Sequence, residues 1–593
     1  MKIPATLRKV TNHDAPMADT TSGVVRGSYR RKRTIARYQG IPYAASTAGE
    51  RRWRPPAPPE PWTGVRSCTR PSPMAYQRAA NMQAFFDELV TGVGIPPAKK
   101  RAMALALKLP RPQSEDCLTV NVQHPVGASG LPVMMWIHGG DQTDGSGTDP
   151  FYTAPDLAER GCVLVTFNYR LGLFGWFAHP ELAEESANQP SLGDGRPEGH
   201  DVSGNYGLLD QIAALEWVRD NIASFGGDPG QVTIFGESAG GQGVLNLMTA
   251  PAARSLFHRA IAQSPSDSAR WLHQRKPMLD FPPAEASGRA FADLAVGEAA
   301  DQLARLRAMD ADALHALYQS HPELGRGFYP SIDGVVLPVT PMTAFSRQQQ
   351  APVPLLIGYN ADEASLFRSV VHPAGAEFPP PPDGPESLDP TEIRDTFVAS
   401  FGSAEAVDEL FTLYPGLQFA REDARVRYLG DHLFGVHVDH ASRQHASAGH
   451  PVFRYYFTAE PPSPRQTLGA FHSAEIPYVF GRSLPLFPVA EDQHLLVRDM
   501  GDRWFAFAAT GVPDFPGRPS WPAFENANPR HMVFDRPSGI VEPLTPEPAF
   551  DLLRSRIQHL TAVAEATAPV ATPARSPLID LSDSSPSYER AMP

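Results

Sequence analysis

Cysteine is scarce in this chain: 593 residues hold three, Cys68, Cys117 and Cys162. An odd, low count cannot make a disulfide framework and suits a reducing compartment. No run of about 18 uninterrupted apolar residues occurs, so neither a transmembrane helix nor a membrane anchor is expected. The opening stretch, MKIPATLRKVTNHDAPMADTTSG, carries positive charge but lacks the apolar segment of a secretory signal. These absences point to a cytoplasmic protein, with Met17 as a second candidate start. Positive charge is also short. Lys plus Arg is 52 against 65 for Asp plus Glu, which leaves a net charge of −13. An acidic chain has no electrostatic reason to hold a polyanion, so nucleic acid is not an expected partner. There is no H-E-x-x-H, no cluster of cysteines and no internal repeat, and nothing calls for a metal or an organic cofactor.

What is present is an ordinary globular balance, 42% hydrophobic and 20% charged, enough for a large core. Short apolar runs with β-branched or aromatic content, Val133–His138 and Val163–Tyr169, read as strands. Leu208, Ile212, Leu215 and Ile222 recur near helical spacing, so Tyr206–Ile222 reads as an amphipathic helix. Val232–Phe235 is the next strand, a helix follows Ser238 to about Met248, and strands return at Arg259–Gln263 and Pro354–Gly358. This alternation predicts an α/β fold with a large, mostly parallel central sheet and helices on both faces. Met82–Leu109 reads as a helical excursion near the ligand-binding edge of that sheet. His372–Pro390, with four consecutive prolines, reads as a loop. Residues 1–19 read as a flexible lead, and the Pro-, Ser- and Ala-rich residues 565–593 as disordered.

Gly236-Glu237-Ser238-Ala239-Gly240 follows a strand and precedes a helix, the setting of a nucleophile elbow. A bare G-x-S-x-G is common, and its context is what gives it weight. His138-Gly139-Gly140-Asp141 leaves another strand on small residues, as an oxyanion loop requires if backbone N–H groups are to approach a substrate oxygen. A serine alcohol needs a base, and the base needs an orienting carboxylate, in the order Ser, Asp or Glu, His. The chain has 19 histidines, and spacing alone does not choose among those after Ser238.

Other segments add to these motifs. They are Gly40–Ala44 (GIPYA), Arg52–Pro56 (RWRPP), Ser114–Leu118 (SEDCL) and Asn168–Gly175 (NYRLGLFG). Further along come Gly204–Gln211 (GNYGLLDQ), Phe225–Pro229 (FGGDP), Val232–Gly241 (VTIFGESAGG) and Ile332–Gly334 (IDG). The series closes with Ile357–Glu363 (IGYNADE), Phe471–Gly481 (FHSAEIPYVFG) and Thr510–Pro513 (TGVP). In this order they resemble the type-B carboxylesterases, the group that also holds cholinesterases and cholinesterase-like adhesion proteins. The resemblance covers about residues 20–560, and it implies an α/β-hydrolase domain over residues 20–564 with helical excursions above the active site.

The resemblance implies Ser238 as nucleophile, Glu363 rather than its neighbour Asp362 as acid, and His472 as base. It implies the N–H groups of Gly140, Asp141 and Ala239 as oxyanion donors, and the ion pairs Arg52–Glu115 and Arg170–Asp210 as scaffold. Glu237 and Glu475 match polar positions near the site, and Ser266 matches a hydroxyl position behind the acid. Three departures stand out. Asp141 replaces a small residue, Ala364 follows the acid where Gly is usual, and the cysteine that would pair with Cys117 is missing, with Cys68 a poor substitute. The activity implied is hydrolysis of small carboxylic esters through an acyl-enzyme, with lactonase, amidase or thioesterase chemistry possible on the same triad. A silent adhesion protein is the rival class, disfavoured because all three triad residues are kept. Met82–Leu109 offers only Phe85 and Phe86 as aromatics, so an apolar or aromatic ester is a better expectation than a quaternary ammonium one.

Overall fold

Eleven strands form the main sheet of the computed structural model. It describes residues 15–566 except 78–86, 97, 99–100, 102–111, 154, 189–202, 267–270, 279–280, 322–323, 368–388, 463–464, 482–492, 536–538 and 544–547. In chain order the strands are β1 (Ser28–Arg30), β2 (Ile35–Pro42), β3 (Thr119–Pro125), β4 (Leu131–Ile137), β5 (Val163–Phe167) and β6 (Gly227–Glu237). The rest are β7 (Arg259–Gln263), β8 (Leu355–Asn360), β9 (Val452–Phe457), β10 (Arg530–Phe534) and β11 (Gly539–Pro543). Their order in space is 11-10-9-8-7-6-4-5-3-2-1. The run from β5 through β4, β6, β7, β8 and β9 to β10 is parallel, and the flanking strands are antiparallel. Buried on both faces, β5 reads VLVTF with every residue inside, as a covered parallel strand should.

The register decides where chemistry can happen. Gly236 of β6 lies beside Ile137 of β4 and Ala262 of β7, and Gln263 lies beside Gly358 of β8. The C-terminal ends of these strands therefore lie together, and the loops leaving them meet at one edge, the usual ligand edge of such sheets.

Two helices pack behind that edge, α1 (Tyr206–Asn221) and α2 (Ala239–Thr249). The expected amphipathic stripe on α1 is not what forms: twelve of its sixteen residues are buried. Asp210 lies inside because Arg170 meets it in a two-pronged pair, Nε to Oδ2 at 2.8 Å and Nη2 to Oδ1 at 2.7 Å. A polar residue on a helix thus marked an internal ion pair rather than a wet face. Arg52 and Glu115 form the second such pair, both bonds 2.7 Å. All three cysteines are free and buried.

A helical layer covers one side of the sheet. It runs through Pro390–Phe401, Ala404–Leu413 and Glu422–Gly430, then a π-helical turn Asp431–Gly435, into α3 (Val436–Ser447). It packs against α4 (Pro548–Ala566) and has its own apolar cluster, with Phe397, Leu410, Tyr428 and Leu553 fully buried. Most of Met82–Leu109 lies outside the described residues. Residues 87–92 are helical, and Leu89, Val90 and Val93 are buried. His372–Pro390 falls outside as well, apart from Asp389 and Pro390, which open the helix Pro390–Phe401. Met17–Thr20 forms a strand with Gly23–Arg26, so part of the expected flexible lead is paired; residues 1–14 and 567–593 are not described.

Candidate active site

Ser238 sits between β6 and α2 with φ 59° and ψ −124°, a conformation that L residues adopt only where surroundings impose it. Glycine is needed on each side. A Cβ on Gly236 would lie 2.5 Å from Gly240 O, and one on Gly240 would lie 2.0 Å from Ile137 O. The turn is anchored by Ser238 N donating to Gln263 O at 3.0 Å. Every residue of α2 behind it is buried, whereas Ser238 itself is half-buried and open at the helix N-terminus. Ala239, the first helical residue, has no intrahelical acceptor for its N–H.

Glu363 opens the short turn after β8 and is 1% exposed. Its Oε2 meets His472 Nδ1 at 2.5 Å. Its Oε1 accepts from Asn360 N at 2.7 Å and from Ser264 Oγ at 2.5 Å. The hydroxyl on Glu363, expected at Ser266, therefore belongs to Ser264. The chain leaves β7 through a left-handed turn at Ser264, φ 42°, which brings the earlier serine under the carboxylate. Asp362 does different work: its Oδ2 accepts from Ala470 N at 2.8 Å, tying the acid loop to the loop that carries His472.

The imidazole is enclosed by carboxylates. His472 Nε2 lies 3.2 Å from Glu237 Oε1, which also accepts from Ser473 Oγ at 2.6 Å. Among the described residues no hydrogen bond joins Ser238 Oγ to His472. Burial alone would lower the imidazole pKa, but Glu237 and Glu363 outweigh it and push it up to about 9. Burial also raises Glu237, with His472 opposing that rise and Glu475 adding to it. Below them Glu475 accepts from Gln263 Nε2 at 2.9 Å and Asn360 Nδ2 at 2.8 Å, and Trp504 Nε1 donates to Gln263 Oε1 at 3.0 Å. The rings of Phe434 and Phe367 pack on His472, with centroids 4.7 and 5.2 Å away.

The loop after β4 lies against the elbow: a Cβ on Gly139 would stand 3.2 Å from that of Ser238. Gly140 has φ 117°, and a Cβ there would meet Asp144 O at 2.1 Å. Asp141 and Gln142 follow with φ 52° and 60°. The Asp141 carboxylate accepts from the Tyr329 hydroxyl at 3.0 Å. Gln142 ties the loop down on three sides. Its Nε2 donates to Gln242 Oε1 at 3.0 Å and Ala239 O at 3.3 Å, while its carbonyl accepts from Gly172 N and Trp176 Nε1.

Ser238, Glu363, His472, Gly140, Asp141 and Ala239 are thus gathered at one edge of the sheet, with Glu237 and Glu475 beside them. Gln142, Ser264, Gln263 and Tyr329 were not singled out from sequence. For Gln142 the only sequence signal is its place directly after the glycine loop. Among the described residues no group of His, Cys, Asp and Glu is arranged to hold a metal ion.

A family model described as the carboxylesterase family matches residues 14–547. The chain is 35% identical over 524 residues to a fumonisin B1 esterase of Sphingopyxis macrogoltabida, covering 85% of this chain and 84% of that protein. It is 32% identical over 530 residues to the para-nitrobenzyl esterase of Bacillus subtilis, 87% of this chain and 94% of the other. Among solved structures, a PNB esterase superposes with a TM-score of 0.70 at 29% identity, over 91% of this chain and all of the other. The Geobacillus stearothermophilus carboxylesterase superposes with a TM-score of 0.68 at 30% identity, over 91% and 99%.

Proposed function

The chain belongs to the carboxylesterase family and is a carboxylic-ester hydrolase, and we propose that Ser238, His472 and Glu363 carry its reaction. The observation that supports this most is the continuous contact from Ser264 and Asn360 through Glu363 to His472 Nδ1, which leaves Nε2 as the nitrogen free to serve as base. His472 in its neutral form takes the Ser238 proton at Nε2 as Oγ attacks the ester carbonyl. To do so Nε2 must leave Glu237 and face Ser238. The N–H groups of Gly140, Asp141 and Ala239 receive the oxyanion, each good donor contributing roughly 3–4 kcal/mol. His472 then returns the proton to the leaving alcohol, and water repeats the sequence on the acyl-enzyme.

The side chain of Asp141 does not weaken its own N–H as a donor. A carboxylate held by Tyr329 is fixed, and that restrains it from turning into the hole. Phe367 and Phe434 against the imidazole support an apolar or aromatic ester as substrate. The free cysteines support a reducing, cytoplasmic setting.

The test is Ser238→Ala, read by hydrolysis of p-nitrophenyl acetate and by mass labelling with an organophosphonate. A loss of about 10⁴-fold or more is expected, with the adduct absent. A variant that keeps more than a few per cent of activity, or still takes the label at the same peptide, would move the nucleophile elsewhere.

A further inference from the structure

Arg454, in the middle of β9, is 1% exposed. Its Nη1 donates to Asp439 Oδ1 of α3 at 2.8 Å. That uses one corner of a planar group with five N–H donors. The opposite edge, Nε and Nη2, is buried and meets no acceptor among the described residues. Asp439 cannot turn to serve it. Its Oδ2 already accepts from Arg443 Nε at 2.9 Å and from Arg554 Nη1 of α4. Three guanidiniums therefore converge on one carboxylate that is 2% exposed.

Charge counting gives the sign and size of what is missing. Asp551 on Arg554 is the second carboxylate of the cluster, so three positive charges face two negative ones. Two imidazoles face the group, and neither changes the balance. His440 of α3 is lowered to about 4, first by burial and then by Arg554 against Asp439. His531 stands beside Arg454 one step before the Tyr455–Met532 pair, and burial together with Arg454 lowers it to about 4. Both are neutral near pH 7. A guanidinium cannot shed its charge, so it cannot answer burial by neutralising as a lysine would. One unbalanced positive charge remains over the three guanidiniums, and one donor edge remains on the buried one, Arg454.

We propose that the buried Nε–Nη2 edge of Arg454 is the seat of one monovalent anion of halide size, chloride under cellular conditions. Two parallel N–H groups converge on a single acceptor in front of that edge. A dianion such as phosphate would overshoot the charge and crowd the Asp439 carboxylate. The Phe524 ring lies under the guanidinium, its centroid 5.9 Å from the guanidinium carbon. Occupancy ties the strand β9 to α3 and α4, well behind the ester site, so its first readout is stability rather than turnover.

Crystals of the protein soaked in sodium bromide are expected to show a bromine anomalous peak on that edge of Arg454. In solution, sodium chloride replacing sodium gluconate at constant ionic strength should raise the thermal midpoint by about 1–3 °C and saturate. Arg454→Lys keeps a cation for Asp439 but has no two-donor edge, and its midpoint should no longer respond. Arg443→Gln, at a more exposed position, removes the surplus charge and should weaken the chloride response about tenfold, which keeps the test open if the lysine variant fails to fold. Bromine found only at surface positions, an adventitious ion only, overturns the assignment. So does an ordered water or a protein acceptor on the Arg454 edge, a chloride response that survives in Arg454→Lys, or one that Arg443→Gln leaves undiminished.

Discussion

Replacing Glu237 by Gln should move the pH dependence of the esterase toward acid. The proposed base His472 can act only when neutral, and its pKa is held high by two carboxylates, Glu237 3.2 Å from Nε2 and Glu363 2.5 Å from Nδ1. Unit charges 4 Å apart at an effective dielectric near 20 interact by about 4 kcal/mol, or roughly three pKa units. Glu237 is itself raised by burial, so it carries its full charge for only part of the range, and the usable share is smaller. A neutral amide removes that share. The acid limb of kcat/KM should fall by about 1–2 pH units. The sign follows directly: a lower imidazole pKa leaves more free base at a given acidic or neutral pH. A pH-stat with an aliphatic ester from pH 5 to 10 avoids the alkaline background of nitrophenyl esters. The position of the limb is the readout, not the height of the plateau, because the amide also changes Ser473's partner. A limb that stays put within 0.3 unit, or moves toward alkali, would refute the view that Glu237 sets the base.

Ser264→Ala removes the hydroxyl held at 2.5 Å on Glu363 and should lower kcat/KM about tenfold, whereas Ser266→Ala should leave it within twofold; both are read on the same ester. Gln142→Leu keeps the side-chain length but cuts the ties to Ala239 O and Gln242, so kcat should fall about tenfold with KM little changed, since a displaced oxyanion cradle costs the transition state and not the bound ester. Acid stability follows from His432, His440 and His445, which burial lowers to about 4. The unfolded chain binds protons at these sites from about pH 6.5 downward and the folded chain does not, so stability should fall steadily between pH 6.5 and 4. Denaturant midpoints measured across that window check the slope.

Much of the scaffold was legible because it is local. The strands at β4, β5, β6, β7 and β8 follow from apolar runs bounded by turn residues, and each formed within about two residues except β6, which begins earlier. The elbow and the glycine loop were legible for the same reason: each is a contiguous pattern that a single tight turn demands. His472 and Glu363 were not readable from spacing at all. They are 109 residues apart, and the resemblance to a family placed them. The pattern also failed where polarity had an internal purpose. The period gave α1 a polar face, yet Asp210 is buried, and its partner Arg170, 40 residues away, came from the family resemblance.

The remaining gap has a common physical form. Ser264 rather than Ser266 reaches the acid because the backbone turns left-handed at that residue, and no propensity announces such a turn in a serine. Among the described residues twelve that are not glycine have positive φ, and five of them, Asp141, Gln142, Ser238, Ser264 and Ser473, stand at this one site. Each turns a side chain or an N–H toward a point that a relaxed chain would miss: the proposed nucleophile, the proposed oxyanion loop, the hydroxyl under Glu363 and the residue after His472. Local preference opposes these conformations, and the surrounding sheet and helices impose them. Sequence periodicity describes the parts of a fold where local preference and global packing agree. A candidate active site built on four strained turns is where they disagree, so it is found by the contacts that hold the strain: Ser238 N on Gln263 O, Gln142 O on Gly172 N and Trp176 Nε1, Ser473 Oγ on Glu237.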